Sequence, residues 1–83
     1  MSLNDDLMLA VDTALNGEWD RSHRIVQEHN DPMACWIHAV LHKIEGDTWN
    51  SRYWYARTRH AKYEDFAEPT EELQSIRQRL SEA

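Results

Sequence analysis

Residues 36–59 read WIHAVLHKIEGDTWNSRYWYARTR, and this stretch decides the fold because two helical patterns flank one glycine. Before Gly46, the apolar residues Trp36, Val40 and Ile44 recur at four-residue spacing, as one side of a helix requires. Glycine adopts the positive φ that ends many helices without the clash of a Cβ atom. We therefore predict a helical hairpin over this stretch.

The same pattern occurs 29 residues earlier in the chain. The shift places Gly17 on Gly46, and several neighbouring positions then agree in residue type. The matched pairs are Ala10 with Ala39, Val11 with Val40, Leu15 with Ile44, Glu18 with Asp47, Ser22 with Ser51 and Val26 with Tyr55. Small serines stand where the two helices of a hairpin would approach closely. The sequence therefore predicts two copies of one helix, Gly-acid turn, helix unit.

The ends of the remaining helices carry their own signals. Asp31-Pro32 is typical of a helix start, with Asp31 as N-cap and Pro32 at the first helical position. Leu73, Ile76 and Leu80 form an apolar stripe within residues 69–81. A short solenoid needs such a terminal helix to cover its apolar face. We expect one all-α domain over residues 1–83: about five antiparallel helices, two helical-hairpin repeats plus a C-terminal capping helix.

These units resemble the tetratricopeptide-like helical-hairpin repeats. The matching residues run from Asn16-Gly17-Glu18-Trp19 to Val26 in one unit and from Glu45-Gly46-Asp47 to Tyr55 in the other. The period of 29 residues is shorter than the roughly 34 of that family. Residues 36–59 also look like the core of a set of small microbial proteins with no assigned activity. The resemblance implies stacked helical hairpins.

Composition and charge narrow the classes of function. The chain has 83 residues and a formal net charge of −6, whereas nucleic-acid binders normally present a dominant basic field. Its basic stretch, residues 47–62, lies between acidic ends that could neutralise it. No apolar run is long enough to span a bilayer, and the lone Cys35 suits a reducing compartment. We expect a cytoplasmic protein with no membrane partner and no nucleic-acid partner.

A stripe of metal-ligand side chains lies on the first helix of the second unit. Cys35, His38, His42 and Glu45 are separated by three, four and three residues, so they share one helical face. Two histidines at i and i+4 can bind one divalent ion, and His23 or Glu18 of a neighbouring helix could complete the site. The metal interpretation takes His38, His42 and Glu45 as ligands, and zinc as the ion.

Two other interpretations of this stripe stay open. In one, His38 and His42 are packed between helices and hydrogen-bonded to the hydroxyls of Ser51, Tyr55 and Thr58. In the other, the histidines line an organic-ligand site or act as a general base. The predicted ligand-binding residues are then His23, His38, His42, Trp36, Tyr53 and Tyr55.

The aromatic residues of the second unit point to a different function. The second helix of this unit carries Trp49, Tyr53, Trp54 and Tyr55, whose positions point to nearly all sides of the helix. At least one of these rings must therefore be exposed or covered by a partner. Interface hot spots favour Trp, Tyr and Arg. We predict Trp49, Tyr53, Arg52 and Arg57 as interface residues.

The expected function is a small, non-enzymatic helical interaction module that binds a protein partner or itself, as a homodimer or other homo-oligomer. Pairing two copies would bury aromatic surface that one short chain cannot cover. This module needs no cofactor. The alternative is a ligand-binding or metal-binding protein, enzymatic or not, with a histidine-lined site between helices.

Overall fold

The computed structural model describes residues 2–82, which form five α-helices and one 3-10 turn. The prediction of an all-α chain with about five helices is confirmed for these residues. None of these helices is both long and apolar enough to cross a membrane. The elements are α1 (Leu3–Leu15), α2 (Trp19–Val26), α3 (Pro32–Ile44), α4 (Thr48–Thr58), the 3-10 turn (Tyr63–Asp65) and α5 (Pro69–Ser81).

The two predicted hairpins are built on the same turn. Gly17 ends the first helix of one unit with φ +83°, and Gly46 ends that of the other with φ +81°. The next N–H closes each turn: Glu18 N donates to the Thr13 oxygen at 2.8 Å, and Asp47 N donates to the His42 oxygen at 2.9 Å. These two hydrogen bonds are related by the 29-residue shift seen in the sequence.

The packing inside each hairpin repeats as well. Ser22 Oγ donates to the Ala10 carbonyl at 2.7 Å, and Ser51 Oγ donates to the Ala39 carbonyl at 2.7 Å. Both serines are fully buried, so each hydroxyl needs a partner inside the protein. A small side chain lets the second helix of each unit approach the first and satisfies its own hydroxyl on the facing backbone.

The predicted start of α3 is confirmed. The Asp31 carboxylate accepts a hydrogen bond from Ala34 N at 3.4 Å, and Pro32 occupies the first turn. Asp47 caps α4 in the same way, by accepting from Asn50 N at 3.2 Å. These caps fix where α3 and α4 begin, and hence the register of the side chains that they carry.

The last helix packs on α1 and α3, the first helices of both units. Its buried residues Leu73, Ile76 and Leu80 are the stripe expected from the sequence. The helix therefore lies across the two units, instead of stacking beyond the second unit as a terminal cap of a longer array would. It closes one side of the core. Because α5 packs on α1 and α3 but not on α2, it does not cover the junction between α2 and α3.

A buried carboxylate joins three of the helices. Glu72 of α5 is fully buried and accepts hydrogen bonds from Trp36 Nε1 at 2.8 Å and Tyr55 OH at 2.6 Å. Lys43 Nζ lies 2.9 Å from its other oxygen. Burial and the bond to Glu72 raise the pKa of Tyr55 well above its ordinary range, so the phenol remains a donor. The network ties α3, α4 and α5 together.

Candidate metal centre

Three imidazoles meet where the two units join. His23 comes from α2, and His38 and His42 come from α3. Each ring offers one nitrogen, and the three nitrogens lie within 4.8 Å of one another. Within the group, His23 Nε2 and His38 Nε2 lie 3.1 Å apart, at hydrogen-bonding distance. The structure therefore brings together all three histidines that the sequence analysis named for a ligand site.

Trp19 holds the first unit against the second at this point. Its indole Nε1 donates to the Leu41 carbonyl of α3 at 2.7 Å, and its ring stacks on His23 with centroids 4.8 Å apart. On the other side, Trp54 of α4 stacks on His38 with a centroid distance of 3.9 Å. Two of the three imidazoles are thus held in orientation by an indole ring.

Glu45 orients the third imidazole. Its Oε1 lies 2.6 Å from His42 Nδ1, and the exposed fraction is 11% for the His42 side chain and 39% for Glu45. A carboxylate on one nitrogen of a histidine fixes the tautomer and raises the basicity of the other nitrogen. Nε2 of His42 is therefore the nitrogen left for a metal. The sequence predicts Glu45 as a direct metal ligand, and the structure places its carboxylate on His42 Nδ1 instead of within the three-histidine group.

Burial keeps two of these imidazoles neutral. The pKa of His38 falls to about 3, mainly because the ring is buried and also because His23 and His42 are close. The pKa of His23 is lowered by burial and by His42, although Glu45 and Asp20 act in the opposite direction. Neutral imidazole is the form that coordinates metals. No proton has to be released from these two rings before a metal binds near neutral pH, because a neutral imidazole can carry its one hydrogen on Nδ1 and leave Nε2 free.

The spacing of the two Nε2 atoms fits a tetrahedral site. Zinc binds histidine nitrogen at about 2.0–2.1 Å, so two such ligands at a tetrahedral angle are about 3.3 Å apart. His23 Nε2 and His38 Nε2, at 3.1 Å, need to separate by only about 0.2 Å. A second group, His42, Glu45 and Asp47, also places its ligand atoms within 4.8 Å, but it shares His42 with the first group and is more exposed.

Three residues predicted for the site lie elsewhere. Trp36 and Tyr55, predicted as walls of the histidine site, donate to Glu72 and form part of the buried network. Helical spacing assigns Trp36 and Tyr55 to α3 and α4. It does not show that Glu72 of α5 binds both side chains. The Cys35 thiol lies against the Asn30 carbonyl, with Sγ and O 3.6 Å apart, outside the three-histidine group.

In the interpretation with His38 and His42 packed between helices, the predicted hydrogen-bond partners differ from those in the structure. Ser51 donates to Ala39, Thr58 donates to the Pro32 carbonyl at 2.6 Å, and Tyr55 donates to Glu72. None of these three hydroxyl donors is therefore directed at an imidazole. His38 is buried, as that alternative required, but its hydrogen-bonding partner is His23 and its packing partner is Trp54.

The predicted interface residues divide into two sets. Trp49 is 77% exposed and Tyr53 is 46% exposed, and their rings stack with centroids 6.4 Å apart. Arg57 lies next along this row, with its guanidinium carbon 5.8 Å from the Tyr53 centroid. Arg52 faces another way, because it pairs with Glu64 at 2.7 Å and lies over the Tyr63 ring. Tyr53 touches the edge of Trp54, one ring away from the histidines.

Sequence reasoning missed the two indoles as walls of the site. The 29-residue register aligns Trp54 with the apolar Ile25, which indicated burial in a hairpin but not contact with His38. Trp19 follows the Gly-acid turn directly, and its indole joins the two units by donating to the Leu41 carbonyl of α3.

No family model, curated protein or solved structure matches this chain.

Proposed function

We propose that this protein binds a divalent transition-metal ion, with zinc as the preferred ion, through His23, His38 and His42. The observation that supports the proposal is the convergence of three imidazole nitrogens within 4.8 Å at a junction between two repeat units. The bond between Glu45 and His42 supplies the supporting carboxylate that metal-ligating histidines usually have.

The donor set favours zinc over harder cations. Imidazole suits zinc, copper, nickel and iron, whereas calcium and magnesium take oxygen ligands. Zinc accepts four-coordinate geometry without a preference imposed by d-electrons. The Cys35 thiol is outside the group, so no thiolate biases the site toward softer ions.

Metal binding would link the two hairpins. His23 belongs to α2 of the first unit, and His38 and His42 belong to α3 of the second. A ligand that binds only the folded state stabilises it, by about 2.7 kcal/mol at a free concentration 100 times Kd. Zinc is therefore expected to raise the midpoint of thermal unfolding.

The test compares purified protein with a matched pair of variants. After chelation, zinc is titrated into the wild type, His23→Ala and His60→Ala, with a competing chromophoric chelator to measure affinity. His23 is only partly buried, so its removal should leave the helical circular dichroism intact. His60 is an exposed histidine outside the group and serves as the control.

We expect one zinc per chain in the wild type and in His60→Ala. In His23→Ala the affinity should fall at least about 100-fold, which corresponds to the loss of roughly 2.8 kcal/mol. Equal affinity in His23→Ala and His60→Ala would mean that zinc binds elsewhere, and the proposal would fail.

Self-association is a second candidate function, favoured by the exposed aromatic row on α4. Trp49 and Tyr53 stack on each other in solvent, where a second copy could cover them. Sedimentation equilibrium at micromolar concentration tests this function. A dimer that Trp49→Ala converts to a 9.9 kDa monomer supports it, and a wild-type monomer contradicts it.

A further inference from the structure

The three-histidine group supplies three ligands and no fourth. Within residues 2–82, no Cys, Asp, Glu or further His joins His23, His38 and His42 in one group. Glu45, the nearest acid along α3, is held by His42 Nδ1. Sites closed by four protein ligands are typical of structural zinc, whereas three protein ligands leave one position for water or another external ligand.

The packing around the group covers some ring faces and leaves one edge more open. The indoles of Trp19 and Trp54 stack on His23 and His38 and cover those two ring faces. The edge formed by His42 and Glu45 is more open, since Glu45 keeps 39% of its side-chain surface exposed. An external ligand would therefore reach the metal beside Glu45.

Carboxylates lie around the group. Asp20 stands three residues before His23 on α2, so the two share one helical face. Glu45 and Asp47 each place a carboxylate oxygen within 4.8 Å of a ring nitrogen of His42. With neutral imidazoles as ligands, a divalent ion brings a charge of +2 against three nearby negative charges. The filled site would be slightly negative overall, so an incoming anion would be repelled and a neutral donor would not.

We propose that the metal held by His23, His38 and His42 keeps one exchangeable position, and that this position binds neutral nitrogen bases of the imidazole class in preference to anions. The inference rests on the proposed function, because it needs the metal in place. It assigns to the site a ligand chemistry: a monodentate aromatic nitrogen donor that replaces bound water.

Cobalt(II) serves as the spectroscopic probe. Protein loaded with one Co²⁺ is titrated separately with imidazole and with sodium azide, at pH 8 and constant ionic strength, while the visible absorption is followed. Loss of the cobalt spectrum in His23→Ala shows that the ion occupies the three-histidine group. A failure at this step contradicts the proposed function and is distinct from a failure of the open position.

We expect imidazole to change the spectrum with a half-saturation concentration about tenfold below that of azide, as one unit of uncompensated charge near a surface would give. Asp20→Asn should bring the azide value closer to that of imidazole. Glu71→Gln, which removes a charge from the first turn of α5, should leave the ratio unchanged.

Two results would overturn the inference while leaving metal binding intact. If neither ligand changes the cobalt spectrum, the fourth position is closed. If azide binds as tightly as imidazole or more tightly, the surrounding carboxylates do not select the ligand.

Discussion

His23 Nε2 and His38 Nε2 lie 3.1 Å apart, although 15 residues separate them and they belong to different repeat units. At this distance the two rings share one hydrogen, with one nitrogen as donor and the other as acceptor. A metal ion can take the place of that hydrogen after a small movement of the rings, once the donor ring carries its proton on Nδ1 instead of Nε2. The contact therefore couples the packing of the two units to the chemistry of the site.

Removal of the supporting carboxylate should weaken the metal site without abolishing it. Glu45→Ala leaves His42 Nδ1 without its partner, and the loss of such a partner typically reduces metal affinity by 10–100-fold. Zinc competition titration measures the change. Glu64→Ala, which breaks the exposed pair with Arg52, is the control and should bind zinc like the wild type. Unchanged affinity in Glu45→Ala would show that the carboxylate does not orient the ligand.

The metal-free protein should lose stability in mild acid because of His38. Its pKa is about 3 in the folded chain and 6.5 in the unfolded chain, so between these values the unfolded chain binds the extra proton. The stabilising effect is complete above pH 6.5 and is lost progressively as the pH falls toward 3. Each extra bound proton gives a slope of up to about 1.4 kcal/mol per pH unit.

Urea unfolding in the presence of a chelator measures this slope. Between pH 6.5 and 5, the free energy of unfolding should fall more steeply for the wild type than for His38→Gln. His60→Gln should follow the wild type. Parallel curves for the wild type and His38→Gln would assign the acid sensitivity to other groups.

The buried Lys43–Glu72 pair should contribute more to the free energy of unfolding than the exposed ion pairs do. Glu72→Gln leaves Lys43, only 7% exposed, without a charge partner. Breaking a buried pair on one side typically costs about 3–5 kcal/mol, whereas an exposed pair contributes about 0–1 kcal/mol. Asp12→Asn, which breaks the exposed pair with Arg77, is the matched comparison. Similar urea midpoints for the two variants would contradict the assignment.

The two turn glycines should be energetically equivalent. Gly17 and Gly46 have φ values of +83° and +81°, and an added Cβ would meet nothing within 4 Å at either position. The cost of Gly17→Ala or Gly46→Ala is then that of the left-handed backbone alone, about 1–2 kcal/mol. Chemical denaturation measures both. Costs that differ by more than about 1 kcal/mol would show that the turns are not equivalent.

The repeat and its turns could be predicted from local patterns because they depend on local interactions. Gly17 and Gly46 end helices through their own backbone preference, and Ser22 and Ser51 occupy equivalent places because each hairpin closes over a short loop. The spacing of His38 and His42 also placed them correctly on one helical face.

The sequence pattern is compatible with a buried Glu72 but does not predict it. It lies at four-residue spacing from Ile76 and Leu80, on the apolar side of α5, yet a glutamate near a helix start is also typical of an exposed, dipole-stabilising residue. Only the position of α5 across α1 and α3 brings it beneath Trp36, Tyr55 and Lys43. Those contacts also remove Trp36 and Tyr55 from the histidine site.

The sequence by itself determined the helices, their turns and the 29-residue repeat, because these follow from backbone preferences and periodicity within one unit. The tertiary structure decided how unit one meets unit two, and hence that His23 reaches His38 while Trp19 and Trp54 enclose them. The physical reason is that contacts between units depend on the relative rotation of packed helices, which helical periodicity within one segment does not specify.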